Sequence, residues 1–292
     1  MQVGAGSPDA MRTAETCAAA GGAITSEFRR CQYPFSPHQA VRKGIVSPRN
    51  MDGGLAMWFL RETHKVAGAR EREFEAVLRD AWLPALGKTA GARLLFVLRH
   101  VHGTGPSYRI VTWTALRDGA TWDELAYRVD RGDLRAPAHD LDDLRHDVTA
   151  KLLVPLPWSP LQEVDLAQVP TGPAEHEPTL FMEDTIHPNE RRLEEYVARS
   201  GSHYAREMQE HDARGQAMLR VEASFRTAWG SGRRREVLLW QRVVEPRGLL
   251  ALLTREIPES YQRPGTWMHD ALQLRDQWRS RLLRTVGWSP LA

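Results

Sequence analysis

Leu152-Leu153-Val154-Pro155-Leu156-Pro157-Trp158-Ser159-Pro160-Leu161 returns near the end of the chain as Leu282-Leu283-Arg284-Thr285-Val286-Gly287-Trp288-Ser289-Pro290-Leu291. Extended back to Leu144-Arg145 and Leu274-Arg275, the two segments share 8 identities in 18 ungapped positions, where background composition gives about 1. Other matches keep the same order. Arg99, Gly103, Gly105 and Trp113 correspond to Arg226, Gly230, Gly232 and Trp240, and Phe59 and Thr63 to Phe181 and Thr185. Self-similarity at a fixed spacing marks a duplicated structural unit.

The pattern inside each copy gives the unit its element order. In the first, Leu55–His64 reads as a strand and Gly68–Leu86 as an amphipathic helix whose stripe is Phe74, Val77, Leu78, Ala81, Ala85 and Leu86. Arg93–His102 and Tyr108–Leu116 read as a hairpin around Gly103-Thr104-Gly105-Pro106. Thr121 is the expected N-cap of a helix from Trp122 to about Val129. A short helix near Asp140–Ala150 and a strand Lys151–Leu156 complete the copy. The second copy repeats this with a strand Thr179–His187, a helix Asn189–Asp212 and strands Met218–Trp229 and Glu236–Val243 around Gly230-Ser231-Gly232. Helical segments Arg247–Arg255 and Trp267–Ser280 and a strand Arg281–Val286 follow.

Each unit is thus β-α-β-β-α-β, the ferredoxin-like order, in an α+β fold. A sheet with helices on one face only leaves the other face bare. Two fused copies cover each other's bare faces and close an intramolecular eight-stranded barrel with the helices outside. The expected domains are residues 51–161 and 179–292, joined by a linker over 162–178. Residues 1–50, rich in Ala, Gly, Ser and Pro, read as a disordered tail or as sequence upstream of a true start at Met51.

The strand-helix opening of each unit and the two endings in Trp-Ser-Pro-Leu resemble the NIPSNAP family, within the dimeric α/β-barrel superfamily. The strand Val111-Thr112-Trp113 is similar to the family as well. The superfamily includes cofactor-free monooxygenases, decarboxylases, isomerases, haem enzymes of the chlorite dismutase type and proteins of no known activity. The resemblance therefore implies a fold and leaves the chemistry open.

Composition narrows the classes. A formal charge of +2 over 292 residues gives no concentrated basic face for nucleic acid. No apolar run reaches the roughly 20 residues of a membrane helix. Cys17 and Cys31 both precede the repeat, so the duplicated body has no cysteine ligand or nucleophile. Arg29-Arg30 is not followed by an apolar stretch and is not read as an export signal, so a cytoplasmic location is expected. Homo-oligomerisation is left open.

Several residues stand out as candidates for chemistry. Glu62 and Asp184 occupy corresponding places in the first strands and are candidate general bases, or a carboxylate pair within the barrel. Alternatively they face solvent, or pair with Arg99 and Arg226 on a neighbouring strand. His100 and His102 share a strand face and are a candidate catalytic or ligating pair, or a solvated pair at the hairpin mouth. No second ligand cluster accompanies them, so no metal site is assigned. The glycine-bracketed turns lead into strands rather than helices and are not phosphate loops.

The second unit's helix carries Leu193, Tyr196, Val197, Ser200, Tyr204 and His211 on its packing stripe, with His203 at the edge. Polar tips on a packing face need hydrogen-bond partners, water or a ligand. Tyr196, Ser200, Tyr204 and His211, with Arg99 and Arg226, are therefore the expected ligand contacts. The first unit is expected to be filled at the matching place by Phe74, Leu78 and Ala81. The alternative is an internal hydrogen-bond network, with His211 at a solvated helix end.

The leading expectation is a protein that holds a small, largely apolar organic molecule and transforms it by acid/base chemistry with no bound cofactor. The contrasting expectations are a non-catalytic scaffold and a haem-binding barrel enzyme.

Overall fold

The computed structural model describes residues 57–230, 234–254 and 258–292. The expectations for residues 1–50 and Met51, for the turn residues Ser231 and Gly232, and for Arg255 lie outside the described residues.

The first half of the barrel runs β1 (Trp58–Val66), α1 (residues 71–86), β2 (Ala92–His100), β3 (Arg109–Leu116), α2 (Gly119–Arg131), α3 (Arg135–Asp142) and β4 (Arg145–Pro155). The second half runs β5 (Leu180–Pro188), α4 (residues 193–213), β6 (Leu219–Trp229), β7 (Val237–Val243), α5 (Pro246–Thr254), α6 (Trp267–Asp270) and β8 (Arg275–Thr285). The strands close into one antiparallel barrel in the order β1-β3-β2-β8-β5-β7-β6-β4. Within each half the order is therefore fourth, first, third, second. The halves join where β2 pairs with β8 and β4 with β6.

Strand alternation sends one face inward and the other toward the helices. Phe59, Trp113, Leu153, Phe181, Phe225, Trp240 and Leu283 form the barrel core together with Val164, Leu166 and Val169 of the linker. The repeat-matched Trp113 and Trp240 meet with ring centroids 5.2 Å apart, and Phe181 stacks on Trp240 at 4.5 Å. Further along the axis the interior turns polar. Arg61 donates to both oxygens of Glu183 at 2.6 and 2.8 Å, with the two side chains 4% and 1% exposed, and so joins the first strands of the halves.

The Trp-Ser-Pro-Leu endings are exchanged between halves. The Ser159 hydroxyl accepts the Ser224 N–H of β6 at 2.8 Å, and the Ser289 hydroxyl accepts the Val97 N–H of β2 at 3.1 Å. Trp158 packs against the second half's outer core and donates to the Val197 carbonyl of α4 at 2.9 Å. Trp288 packs against the first half's outer core. Each strand carries a bulge near these contacts, between Leu94 and Phe96 in β2 and between Val221 and Ala223 in β6. A bulge lifts one residue out of the ladder and frees its backbone for another partner, which Leu95 uses to accept the Leu291 N–H at 2.9 Å.

Four local expectations are corrected. The helix over Asp140–Ala150 is displaced toward the N-terminus as α3, and β4 already begins at Arg145. It pairs with β1 along its length, from Phe59↔Leu153 to Val66↔Arg145, so tertiary pairing overrides the polar character of the segment. In the same way Trp267–Ser280 is a single helical turn, a 3₁₀ turn over Ala271–Gln273 and then β8 paired to β5. Asp118, not Thr121, caps α2, accepting the Thr121 N–H at 2.8 Å and the Thr121 hydroxyl at 2.9 Å. Finally, α1 and α4 are not uniform α-helices, each having a π-helical turn, Leu78–Trp82 and Gly201–Ala205. Such turns add a residue and re-aim the side chains beyond them.

Candidate functional site

On the outer face of the first half, between the sheet and its helices, lies a cavity of about 540 Å³. Its apolar walls come from Leu60, Leu78, Trp82, Leu125, Val129 and Leu141. Pockets of 300–1,000 Å³ lined this way are the ordinary size for small organic ligands. The polar wall is the sheet itself, where Glu62 and His64 of β1, Thr112 of β3 and Arg145 of β4 project together. Glu62 stands directly opposite Thr112 in the β1–β3 ladder.

These groups form one directed hydrogen-bond chain. Arg145 is anchored by Asp142, which accepts from Nε at 2.9 Å and from Nη2 at 2.5 Å. Its Nη1 lies 2.7 Å from His64 Nδ1. A guanidinium only donates, so Nδ1 must accept and the proton of the neutral ring sits on Nε2. His64 Nε2 lies 3.0 Å from the Thr112 hydroxyl, which therefore accepts from it. Thr112 in turn donates to Glu62 Oε2 at 3.3 Å. Glu62 Oε1 has no hydrogen-bond partner among the described residues.

The electrostatics agree with this direction. Burial, with Arg145 and Arg61 nearby, lowers the His64 pKa to about 3 and keeps the ring neutral. Burial raises the Glu62 carboxyl above the ordinary range, against the opposing pull of Arg145 and the Thr112 hydrogen bond. A carboxylate held in an apolar cavity with a raised pKa is a stronger base than one in water.

The equivalent region of the second half is packed. Counted from Phe59 and Phe181, Tyr196 stands at the place of Phe74, Ser200 at that of Leu78 and Tyr204 at that of Trp82. Counted back from Leu144 and Leu274, Trp267 stands at the place of Pro137. The Trp267 ring lies against Tyr196 at 5.6 Å and Tyr204 at 6.4 Å. The Tyr204 hydroxyl donates to Gln241 Oε1, and Gln241 Nε2 donates to Asp184 Oδ2 at 2.9 Å. Burial raises the Asp184 pKa to about 6, against hydrogen bonds from Ser280 and Gln241. The first half thus has an open cavity where a filled one was expected, and in the second half Tyr204 has a protein partner. The Tyr204 hydroxyl is satisfied by Gln241 of β7 and the Ser200 hydroxyl by the Val197 carbonyl, and Trp267 supplies bulk where the first half has a proline.

The other candidates are dispersed. Glu62 and Asp184 lie on the outer faces of different halves, so they are not a carboxylate pair within the barrel. Neither pairs with Arg99 or Arg226, because those arginines reach helices: Arg99 donates to Glu75 of α1, and Arg226 lies 3.3 Å from Glu194 of α4. Ser200 is buried and donates to the Val197 carbonyl at 3.1 Å. His211 sits in the Arg206–Ala213 stretch, which buries no side chain. His100 points into the barrel near Arg281 and Glu183, and burial first, then Arg281, lowers its pKa to about 4. His102 is exposed beyond the strand end. Among the described residues no group of three or more His, Cys, Asp or Glu is placed to hold a metal ion. No described helix is long and apolar enough to cross a membrane.

His64, Thr112 and Arg145 were not among the sequence candidates. Two signals pointed to them. His64 is two residues from Glu62 and shares its strand face. Arg145 is one of the repeat identities, matched to Arg275.

No family model matches the chain, and no curated protein matches it. Solved structures similar to it include an anthrone oxidase-like protein, 9% identical over 80% of this chain and 92% of that one, with a TM-score of 0.48. A NIPSNAP family protein from Agrobacterium tumefaciens is 15% identical over 39% of this chain and 98% of its own, with a TM-score of 0.33. A NIPSNAP domain protein from Burkholderia xenovorans is 18% identical over 34% of this chain and 93% of its own, with a TM-score of 0.30.

Proposed function

We propose that the first half binds a small, largely apolar organic molecule in the cavity over β1 and β3, and that Glu62 acts on it as a general base without a bound cofactor. The observation that carries this reading is the Glu62 carboxylate, half-buried at the wall of an apolar cavity and fed by a hydrogen-bond chain of fixed direction. Proton abstraction from an acidic C–H or O–H of the ligand is the reaction this arrangement serves. Arg145, anchored by Asp142, and neutral His64 are positioning residues. They hold the Thr112 proton toward Oε2, so that the free Oε1 faces its task with a fixed orientation.

On this reading the two halves are fused ferredoxin-like units, residues 51–161 and 179–292, that have diverged. One has kept an open site. The other closed it with Tyr204, Trp267 and the Gln241–Asp184 hydrogen bond, and serves as the partner sheet of the barrel.

The test is mass spectrometry of small molecules released from the purified wild type and from Ala138→Trp, which places bulk in the cavity. An apolar organic compound present in the wild type and lost from the folded variant is expected. The same compounds in both proteins, or none in either, would overturn the assignment.

A further inference from the structure

Resting on the reading of this cavity as a ligand site, we infer that the ligand is an amphipathic organic anion, its charged group held at the rim by Arg135 and His139 while its apolar body lies inside. The helix α3 presents Arg135, Ala138, His139 and Asp142 to the cavity, an i, i+3, i+4, i+7 stripe that in a helix covering a sheet is normally apolar. Its charges are not equally committed. Asp142 is paired with Arg145 at 2.5 Å, and the other rim carboxylate, Asp130, with Arg131 at 3.0 Å. The side chains of Arg135 and His139 have no hydrogen-bond or ion-pair partner among the described residues, and both residues are exposed at the cavity edge. The rim therefore offers one permanent cation and one imidazole, one helical turn apart, with no anion of the protein assigned to them.

The second half supplies an internal comparison. At the places of Pro137 and Arg135 it has Trp267, which fills the space, and Gly265. His269, at the place of His139, is within 2.9 Å of Asp270. At these matched positions the unpaired cation is present in the first half and absent from the second. A guanidinium fork matches the paired oxygens of a carboxylate or sulfonate. The same placement sets the ligand's orientation: its anionic end at α3 and its reacting hydrogen at the sheet, near Glu62.

The experiment compares two fluorescent probes with a shared aromatic body, 1-anilinonaphthalene-8-sulfonate and the uncharged N-phenyl-1-naphthylamine. Arg135 and His139 are exposed, so replacing them leaves the packing intact. Arg135→Gln/His139→Gln is expected to weaken sulfonate binding by about tenfold, the scale of a lost charge-assisted hydrogen bond, and to leave the uncharged probe unchanged. Arg135→Lys should fall between the wild type and the double variant. Ala138→Trp should abolish binding of both probes. Unchanged sulfonate binding in the double variant, or an equal fall for both probes, would overturn the inference while leaving the cavity reading in place. Binding of both probes that survives Ala138→Trp would remove the cavity reading itself, and this inference with it.

Discussion

Trp113 and Trp240, matched to each other in sequence, meet ring to ring in the barrel core, 5.2 Å between centroids. The contact is between the halves, so it reports directly on barrel closure. Both rings are nearly fully buried, at 2% and 3% exposure. Trp113→Ala is expected to lower stability by about 3–5 kcal/mol through lost burial and the void left behind. A double-mutant cycle with Trp240→Ala, read by denaturant unfolding, should return a coupling of about 0.5–1.5 kcal/mol. Additive losses would mean that the halves do not share this core.

The bidentate Arg61–Glu183 pair joins the same two halves in the polar part of the interior. Removing one member leaves an unpaired charge in a sealed site. Arg61→Met is expected to cost about 3–5 kcal/mol, whereas Arg61→Met/Glu183→Leu should recover most of that loss. Chemical denaturation of the two variants decides it, and equal losses would contradict the placement.

Two buried groups give pH dependences of opposite sign. His64 has its pKa lowered to about 3, so the unfolded chain binds its proton more readily. Its contribution to stability is complete above the ordinary histidine value of about 6.5 and is lost as pH falls toward 3. Asp184 is raised to about 6, so its contribution is complete below the ordinary value of about 3.9 and is lost as pH rises through 6. Asp184→Asn should therefore steepen the rise in stability from pH 4 to 6, and His64→Gln should flatten or reverse it. Thermal melts of both variants across that range give the answer.

Tyr204 belongs to a network and not to a pocket. Tyr204→Phe removes the donor to Gln241 and is expected to destabilise the protein by about 0.5–1.5 kcal/mol. Probe binding in the first half should be unchanged. A loss of binding without a loss of stability would return the ligand site to the second half.

The barrel was legible because strand order and bare sheet faces follow from a repeat, and the repeat is visible in identities such as Trp158–Leu161 against Trp288–Leu291. The strands that were shortened, β4 and β8, begin with polar residues, and only pairing with β1 and β5 makes them extended. Glu62 was legible as an acidic residue in a strand interior. Its partners were not, because His64, Thr112 and Arg145 come from three strands, and register decides which of their neighbours meet. The choice of half failed for a different reason. Polar tips on α4 looked like a demand for a ligand, but Gln241 and Asp184 meet that demand from the sheet. Trp267, matched in sequence to Pro137, packs on Tyr196 and Tyr204 in the second half, a volume difference that periodicity does not register.

A ¹³C NMR titration of the Glu62 side-chain carboxyl tests its role as a base at the wall of the apolar cavity with no knowledge of the natural ligand. The predicted result is a midpoint above the ordinary glutamate value of about 4.3, moving higher when N-phenyl-1-naphthylamine fills the cavity and displaces water. A midpoint at or below the ordinary value, with no response to the probe, would show Glu62 to be an ordinary solvated carboxylate and not a base in the cavity.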